Sequence, residues 1–246
     1  MCEGPYLRQT GHMPLFRVND KLHYYAHVPK CAGSAVADYL TTRCGPLAFQ
    51  NTRFLMDLPE QRWTKSSPQH VDWASFTKLI PADWIASSFA VVRHPTARVI
   101  SAYHFQRDVE ETLPKDQSID DWFASWADKT TPFIFDNHLL PQSAIVPPDA
   151  TVFKIEDGLD AVIPYLDGII GNNEGPRSIG AKNTQAKRRG KADAIPGRKM
   201  LDRIAEIYAV DFQRFDYPLE LPEKPVTPTR SSGPISRILS KFRGAA

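Results

Sequence analysis

Residues 29–34 combine side chains and backbone groups that suit the binding of an oxyanion. The segment Pro-Lys-Cys-Ala-Gly-Ser joins an apolar run to a stretch with helical spacing. Ala32 and Gly33 are small enough to let backbone amides approach an anion closely. Lys30 adds a full positive charge, the Ser34 hydroxyl adds a donor, and the helix start adds free N–H groups. The pattern predicts a loop that cradles a phosphate.

The order of residues in this loop differs from that of a Walker A loop. In the Walker pattern the lysine follows the second glycine and stands beside Ser or Thr. Here Lys30 precedes Gly33 by three positions, which argues against a GTPase or an ATP-dependent kinase. A tight turn with an exposed lysine is the alternative, and the loop by itself does not decide between the two interpretations.

A second anion-binding pattern covers residues 92–103. Arg93 follows an apolar run, so it stands at the carboxyl end of a predicted strand, where open α/β sheets place ligands. Pro95 suits the first turn of a helix, and Ser101 lies two turns further on. A guanidinium matches the geometry of a phosphate, and a hydroxyl can bond the same group. The alternative is a structural salt bridge for Arg93, with Ser101 bonded to its own helix.

Taken together, the two patterns resemble the PAPS-dependent sulfotransferase family, in the branch of the heparan sulfate 2-O- and 6-O-sulfotransferases and other carbohydrate enzymes. The matching residues of the two motifs are Pro29, Lys30, Gly33, Ser34, Arg93, Pro95, Arg98, Ser101 and Tyr103. Weaker matches at 141–143, 153–157 and 208–217 extend the resemblance over about residues 24–217.

The resemblance implies a donor site for PAPS, with PAP as the product. Its first loop would hold the 5′-phosphosulfate through Lys30, Cys31, Ala32, Gly33, Ser34 and Ala35. The second motif would hold the 3′-phosphate, with Arg93 and Ser101 as the binding residues. One departure is Ala35, where the family often has Ser or Thr, so one possible phosphate donor is missing while the backbone cradle remains.

His70 is the residue we expect to act as the base. Sulfuryl transfer needs a group that takes the proton of the acceptor hydroxyl, and histidine titrates near neutral pH. His70 lies between the two phosphate motifs, in a segment that resembles the one carrying the catalytic histidine of the 2-O-sulfotransferases. Lys30 would stabilise the charge on the leaving phosphate, and no metal is expected. A histidine in a surface loop is the alternative.

Four other histidines and one glutamate are alternative candidates for a role in the site. We interpret His94 as a local contact, because the family usually has Asp there, and His27 as a polar residue at a strand end. His104 and His138 could line the acceptor cleft. Glu156 is the other possible base, since some sulfotransferases use Glu, but its position after a strand suggests a structural role.

A basic stretch follows at residues 182–199. In the resembling family a loop here closes over the nucleotide, which makes Asn183 and Lys187 candidates for donor binding. Docking of an anionic glycan and a solvated loop are the two alternatives for this run of charge.

The elements that must position these residues alternate between strand and helix. Apolar runs at 22–28, 88–92 and 151–155 read as strands, and each is followed by helical spacing. We therefore predict an α/β fold, with a P-loop-like central parallel sheet flanked by helices on both faces. The predicted organisation is an N-terminal arm over 1–20, a sulfotransferase domain over 21–219 and a flexible, Pro-rich basic tail over 220–246.

Composition excludes several classes of protein. The 246 residues carry 30 Lys and Arg against 28 Asp and Glu, a net charge of +2 that does not suit a nucleic-acid coat. The three cysteines fit neither a zinc site nor a disulfide framework. No apolar stretch is long enough for a membrane span, so we expect a cytoplasmic, bacterial enzyme. Its acceptor would be a hydroxyl, on a carbohydrate or glycoconjugate, and a nucleotide-binding module without catalysis is the competing hypothesis.

Overall fold

The computed structural model describes the residues in the following ranges: 15–49, 51, 54, 56–62, 64–129, 133–180 and 194–221. Asn183 and Lys187, most of the basic stretch and most of the predicted tail lie outside them.

One sheet of four strands runs through the described residues, in the order β1-β2-β3-β4. The strands are β1 (Leu15–Val18), β2 (Lys21–Ala26), β3 (Ile85–Val92) and β4 (Thr151–Lys154). β1 pairs antiparallel with β2, whereas β2, β3 and β4 run parallel to one another. The α/β class predicted from the sequence is confirmed. Residues 15–18, which the sequence analysis assigned to the arm, supply the antiparallel edge strand.

β3 is the central element of the sheet. Its last five residues, Ser88 to Val92, are all buried, as expected for a parallel strand that is covered on both faces. β-Branched and aromatic residues suit such a strand because they pack well on a pleated surface. Because the carboxyl end of β3 is packed on both faces, it fixes the backbone position of Arg93, the next residue.

Helices connect and cover the strands. Their bounds are α1 (Gly33–Cys44), α2 (Trp73–Leu79), α3 (Pro95–Asp108), α4 (Ile119–Ala127), α5 (Gln142–Ile145), α6 (Val162–Ile170), α7 (Arg198–Ile207) and α8 (Ala209–Arg214). α3 begins at a proline, which is favoured at the first helical position. Short 3₁₀ turns over Pro59–Gln61, Pro68–His70, Ala82–Trp84, Ile155–Asp157 and Leu159–Ala161 complete the connections.

Two hydrophobic clusters hold the described part of the chain together. One packs the sheet against α1 and α6, through residues such as Phe89, Leu40 and Leu166. The other joins α3, α4, α7 and α8, with Trp122 and Ile204 buried at its centre. Each of these large side chains contributes about 1.5–3 kcal/mol by its burial. Among the described helices, none has the length and apolar character that a membrane crossing demands.

The parallel pairing brings the two predicted anion-binding motifs to one edge of the sheet. Ala26, the last residue of β2, lies opposite Ala90 of β3, two residues before that strand ends. The chain then leaves β2 toward residues 29–34 and leaves β3 toward Arg93. Ligands of open α/β sheets bind at this carboxyl edge.

Candidate active site

The loop before α1 is a tight turn that opens its backbone toward the sheet edge. Lys30 and Ala32 both have left-handed backbone conformations, with φ of 68° and 61°. Alternation of this kind turns successive N–H groups to one side and forms an anion-binding concavity. At the start of α1 the N–H groups of Gly33 and Ser34 also have no intrahelical acceptor, whereas those of Ala35 and Val36 donate to the carbonyl oxygen of Ala32 at 2.9 and 3.2 Å. The loop can therefore present several backbone donors to one anion.

The Cys31 side chain faces away from that concavity. Its sulfur lies 3.4 Å from Oε1 of Gln142 and 3.6 Å from the carbonyl oxygen of Pro29, and the residue is fully buried. Burial raises the pKa of the Cys31 thiol to about 12, so the group stays protonated. Cys31 thus anchors the loop with its side chain and can offer an anion only its backbone N–H.

Gly33 packs so closely against the ring of His27 that there is no room for a side chain at position 33. A Cβ built on Gly33 would lie 1.6 Å from Nε2 of His27, and the His27 side chain is buried. Any larger residue at position 33 would have to displace this ring. The glycine of the predicted phosphate loop therefore serves close packing as well as close approach of the backbone.

Lys30 reaches across the loop to α3. Its Nζ lies 3.5 Å from the centroid of the Phe105 ring, in cation–π geometry. The charge also acts on neighbouring groups, since it contributes to lowering the pKa of His138. Lys30 is thus held beside the same pocket that contains the histidines described below.

Arg93 is tied to the first loop and to α5. Its side chain donates from Nη1 to the carbonyl oxygen of Lys30 at 3.3 Å. Gln142 bonds both backbone groups of Arg93, accepting from the N–H at 2.9 Å and donating to the carbonyl at 2.8 Å. The buried Asp211 carboxylate in turn accepts from the backbone N–H of Gln142 at 2.8 Å. This chain of contacts fixes the guanidinium between the two motifs.

Arg98 has a different role from Arg93. It is fully buried, and its guanidinium donates to the carbonyl oxygens of His138 and Leu140 at 2.8 and 2.7 Å. Those bonds hold the backbone of the segment that follows α4. Ser101, one turn further along α3, is half-buried. Arg98 therefore matches the motif but has a structural role. Arg93 and Ser101 have side chains that lie nearer the surface.

His70 is buried and bonded to a carboxylate. It ends the 3₁₀ turn Pro68–His70, and its Nδ1 lies 2.8 Å from Oδ2 of Asp136. Ser67 supports the pair, because its hydroxyl donates to the same Asp136 oxygen at 2.6 Å. Burial alone would raise the pKa of Asp136, but the hydrogen bonds from His70 and Ser67 outweigh it and lower that pKa.

The ionised Asp136 fixes the tautomer of His70. A carboxylate only accepts hydrogen bonds, so the proton between the two groups lies on Nδ1 of the ring. Nε2 then carries the lone pair, and the imidazole can take a proton there. This is the arrangement of an oriented general base, in which the carboxylate also stabilises the imidazolium that forms.

Asp136 and Asn137 contact His70 from a left-handed turn. Phe135, Asp136 and Asn137 have φ of 47°, 54° and 61°, conformations that are uncommon outside glycine and are adopted most readily by Asn and Asp. Besides the Asp136 contact, Asn137 donates from Nδ2 to the carbonyl oxygen of His70 at 2.9 Å. The His138 ring lies edge-on to the His70 ring, 5.0 Å between centroids.

The first loop and the His70 cluster meet through His27. The rings of His27 and His70 lie 5.1 Å apart in edge-to-face contact, and His27 also packs on Gly33. His138 is buried next to His70, and burial, followed by the electrostatic effects of His70 and Lys30, lowers its pKa well below the usual value. The histidines at the sheet edge thus form one continuous row beside the anion-binding loop.

The remaining candidates make contacts away from this row. His94 is fully buried, and its Nε2 donates to the carbonyl oxygen of Pro218 at 2.9 Å. Glu156 accepts from the backbone N–H of His94 at 2.9 Å and from the Tyr217 hydroxyl at 2.8 Å. His104 contacts Arg107 in the last part of α3. Glu156, which follows β4, is therefore linked by a hydrogen bond to His94 of the second motif.

Sequence reasoning missed the residues that orient the others. Asp136 and Ser67 align His70, and Gln142 aligns Arg93. Asp136 is separated from His70 by 66 positions. No spacing rule connects residues so far apart, and only the fold reveals the pair.

Comparison with known proteins assigns the chain to a family. A family model described as "Sulfotransferase family" matches residues 15–218, well over half of the chain. No curated protein matches the chain, and no solved structure does.

Proposed function

The chain belongs to the sulfotransferase family and is an enzyme of that class, and on this premise we propose that it sulfates a carbohydrate hydroxyl. The donor is PAPS, and His70 is the base. The observation that carries the proposal is the bond between Nδ1 of His70 and the Asp136 carboxylate, at 2.8 Å, beside a loop suited to phosphate. A histidine held in one tautomer next to a phosphate cradle has the geometry that sulfuryl transfer needs.

The donor binds along the carboxyl edge of the sheet. Backbone N–H groups from Cys31 to Ser34, with the Lys30 ammonium and the Ser34 hydroxyl, bond the 5′-phosphosulfate, while the N–H of Ala35 already donates to the carbonyl oxygen of Ala32. Support comes from the left-handed backbone at Lys30 and Ala32, which turns amides toward the ligand side. Arg93 and Ser101 bond the 3′-phosphate, and the contact of Arg93 with the Lys30 carbonyl keeps the two phosphate positions in register.

The reaction is an in-line displacement at sulfur. Nε2 of His70 takes the proton of the acceptor hydroxyl as its oxygen bonds to sulfur, and the bond from sulfur to the phosphate oxygen breaks. The leaving PAP gains negative charge, which Lys30 and the loop amides stabilise. Asp136 stabilises the positive charge on His70 until its proton returns to solvent.

The acceptor side of the proposal rests on the groups that surround His70. Glu110, two residues beyond the end of α3, is half-buried, and burial raises the pKa of its carboxyl against the opposing effects of Gln106 and Lys30. Together with Nε2 of His70 it offers hydrogen-bond partners for neighbouring hydroxyls. A polyol such as a sugar presents several hydroxyls to such a set, and this favours a carbohydrate over an isolated alcohol.

A radiolabel assay tests the proposal. The full-length protein is incubated with sulfur-labelled PAPS and a panel of polysaccharide, lipid and metabolite extracts. We expect label to move to a carbohydrate fraction with release of an equal amount of PAP. Binding of PAP without transfer to any fraction would favour the competing hypothesis of a nucleotide-binding module, and transfer to a lipid or metabolite fraction alone would overturn the carbohydrate assignment.

A further inference from the structure

His70, Asp136 and His138 each bring one potential metal-ligating atom into a compact group. Acid–base chemistry at His70 does not require the third member of this group. We propose that His70, Asp136 and His138 bind one transition-metal ion of the Zn²⁺ class, and that the bound ion switches off the base. Metal binding itself stands on the geometry alone, whereas the inhibitory consequence rests on the proposed function.

The geometry supplies a compact donor set. One ligand atom from each of the three side chains lies within 4.8 Å of the other two. Two imidazoles and one carboxylate are the ligands of many three-residue zinc sites, which keep a further position for water. The same nitrogen and oxygen donors suit Co²⁺ and Ni²⁺, while hard cations such as Mg²⁺ prefer oxygen alone. The site therefore selects for borderline divalent metals.

His138 provides an independent indication of a ligand. Its side chain is 94% buried, since only 6% of its surface is exposed. Its Nδ1 is buried and has no hydrogen-bond partner within the described part of the chain. Buried polar atoms ordinarily have a hydrogen-bond partner, and coordination of a metal through this nitrogen would supply one.

The outer contacts of the cluster match those of metal sites. Ser67 donates to Asp136 through both its hydroxyl and its backbone N–H, and this orients the carboxylate. Arg98 holds the backbone of His138 through its carbonyl oxygen. Asn137 bonds the carbonyl oxygen of His70. Supporting hydrogen bonds of this kind fix the direction of ligating side chains before the metal arrives.

Binding of the metal would remove the base by a change of tautomer. In the free enzyme Nδ1 of His70 carries the proton and bonds Asp136 at 2.8 Å. A metal on Nδ1 displaces that proton, and the neutral ring then carries its proton on Nε2. A metal on Nε2 would occupy the lone pair directly. Either way, no ring nitrogen remains to accept the hydroxyl proton.

A cobalt titration tests the site without donor or acceptor. Full-length protein, first stripped with a chelator, is titrated with Co²⁺ while its visible ligand-field absorption is recorded. We expect saturation at one equivalent, and at least tenfold weaker binding in Asp136→Asn and in His138→Gln. His23→Gln is the matched control, because His23 is a buried histidine that bonds Ser87 outside the cluster. Absence of saturable binding, or binding of Co²⁺ by the Asp136 and His138 variants with the affinity of the wild type, would overturn the proposal.

X-ray absorption on the wild-type zinc complex decides the matter if either variant fails to fold. The proposal requires two imidazole ligands and oxygen donors in the coordination shell of the zinc ion. A coordination shell with one imidazole or none would overturn it. The inhibitory step is read separately: Zn²⁺ should slow sulfuryl transfer at least tenfold, and EDTA should restore it. Unaltered transfer at saturating Zn²⁺ would refute inhibition, whereas absence of transfer without metal would count against the proposed function and leave the cobalt result intact.

Discussion

Nδ1 of His70 and Oδ2 of Asp136 lie 2.8 Å apart in a buried pocket, with the Ser67 hydroxyl bonded to both groups. His70 comes from a 3₁₀ turn ahead of α2, and Asp136 comes from a left-handed turn after α4. Their contact orients the His70 imidazole at the carboxyl edge of the sheet, beside the loop that precedes α1. The predictions below depend on this arrangement.

Replacing Asp136 with Asn should slow transfer while leaving the donor site intact. The amide can donate to Nδ1 of His70 and so favour the tautomer with the proton on Nε2, where it blocks the base. We expect kcat to fall about 10²-fold or more, with little change in the affinity for PAP, because Asp136 makes no hydrogen bond to residues 30–34 in the described structure. Steady-state kinetics and calorimetry with PAP measure the two quantities.

Ser67→Ala is the graded control for this variant. It removes one bond to Asp136 and keeps the charge that holds the tautomer, so its loss of kcat should be smaller. If Asp136→Asn retained the full rate, the orienting role of the carboxylate would be refuted.

Arg93→Lys should reduce the preference for a 3′-phosphate. Arginine can bond a phosphate with two parallel N–H groups, which lysine cannot reproduce. We expect PAP binding to weaken by about 1.5–3 kcal/mol, with a much smaller effect on ADP, which has no 3′-phosphate. Calorimetry with both nucleotides gives the comparison. Equal weakening for PAP and ADP would show that Arg93 acts on the 5′ side or only through the backbone.

Gly33→Ala should damage both the loop and the fold. The new Cβ would overlap the buried His27 ring, and overpacking of this kind is unfavourable by about 1–3 kcal/mol. Gly168→Ala in α6 is the control, since its Cβ would meet no atom within 4 Å, and it should be neutral or stabilising by about 0.5–1 kcal/mol. Thermal melts with and without PAP distinguish the two variants.

Combining Gly33→Ala with His27→Ala should recover part of the lost stability, because the smaller side chain makes room for the new methyl group. A double variant no more stable than Gly33→Ala alone would mean that the clash with His27 is not the cause.

Stability should decline as the pH falls below about 6.5. Burial lowers the pKa of His138 well below its usual value, so between the unfolded and folded pKa values only the unfolded chain binds the proton. In that window the free energy of unfolding decreases on acidification, with a slope of up to about 1.4 kcal/mol per pH unit from this residue. His23 and His94, whose pKa values are also lowered by burial, act in the same direction.

Urea unfolding at several pH values between 5 and 8 measures this slope. In His138→Gln the dependence should become shallower, because one group no longer takes up a proton on unfolding. A chain whose stability rises on acidification, or a variant with the slope of the wild type, would contradict the burial of a neutral His138.

Much of the fold could be predicted because its strands carry strong local patterns. The predicted strand at 88–92 falls within β3 (Ile85–Val92), where five consecutive buried residues leave little ambiguity. The helical spacing predicted after that strand is α3 (Pro95–Asp108). β1 (Leu15–Val18) was not recognised, because four residues at an antiparallel edge carry too short a pattern to be distinguished from a loop.

The site was predictable only in the parts that belong to local motifs. Lys30, Gly33 and Arg93 stand at fixed offsets from the ends of β2 and β3, so their meeting at one sheet edge follows from parallel pairing. Asp136 obeys no such rule. Its turn has left-handed backbone without glycine, and its bonds to Ser67 and His70 join residues far apart in the sequence.

The role of His70 is tested by comparing the wild type with His70→Ala in sulfur-label transfer and in PAP binding, with His23→Ala as the control for loss of a buried imidazole. We expect His70→Ala to lower kcat by at least about 10²-fold, while its affinity for PAP stays within about twofold and the control keeps its rate. Near-normal turnover in His70→Ala would contradict the assignment of His70 as the base.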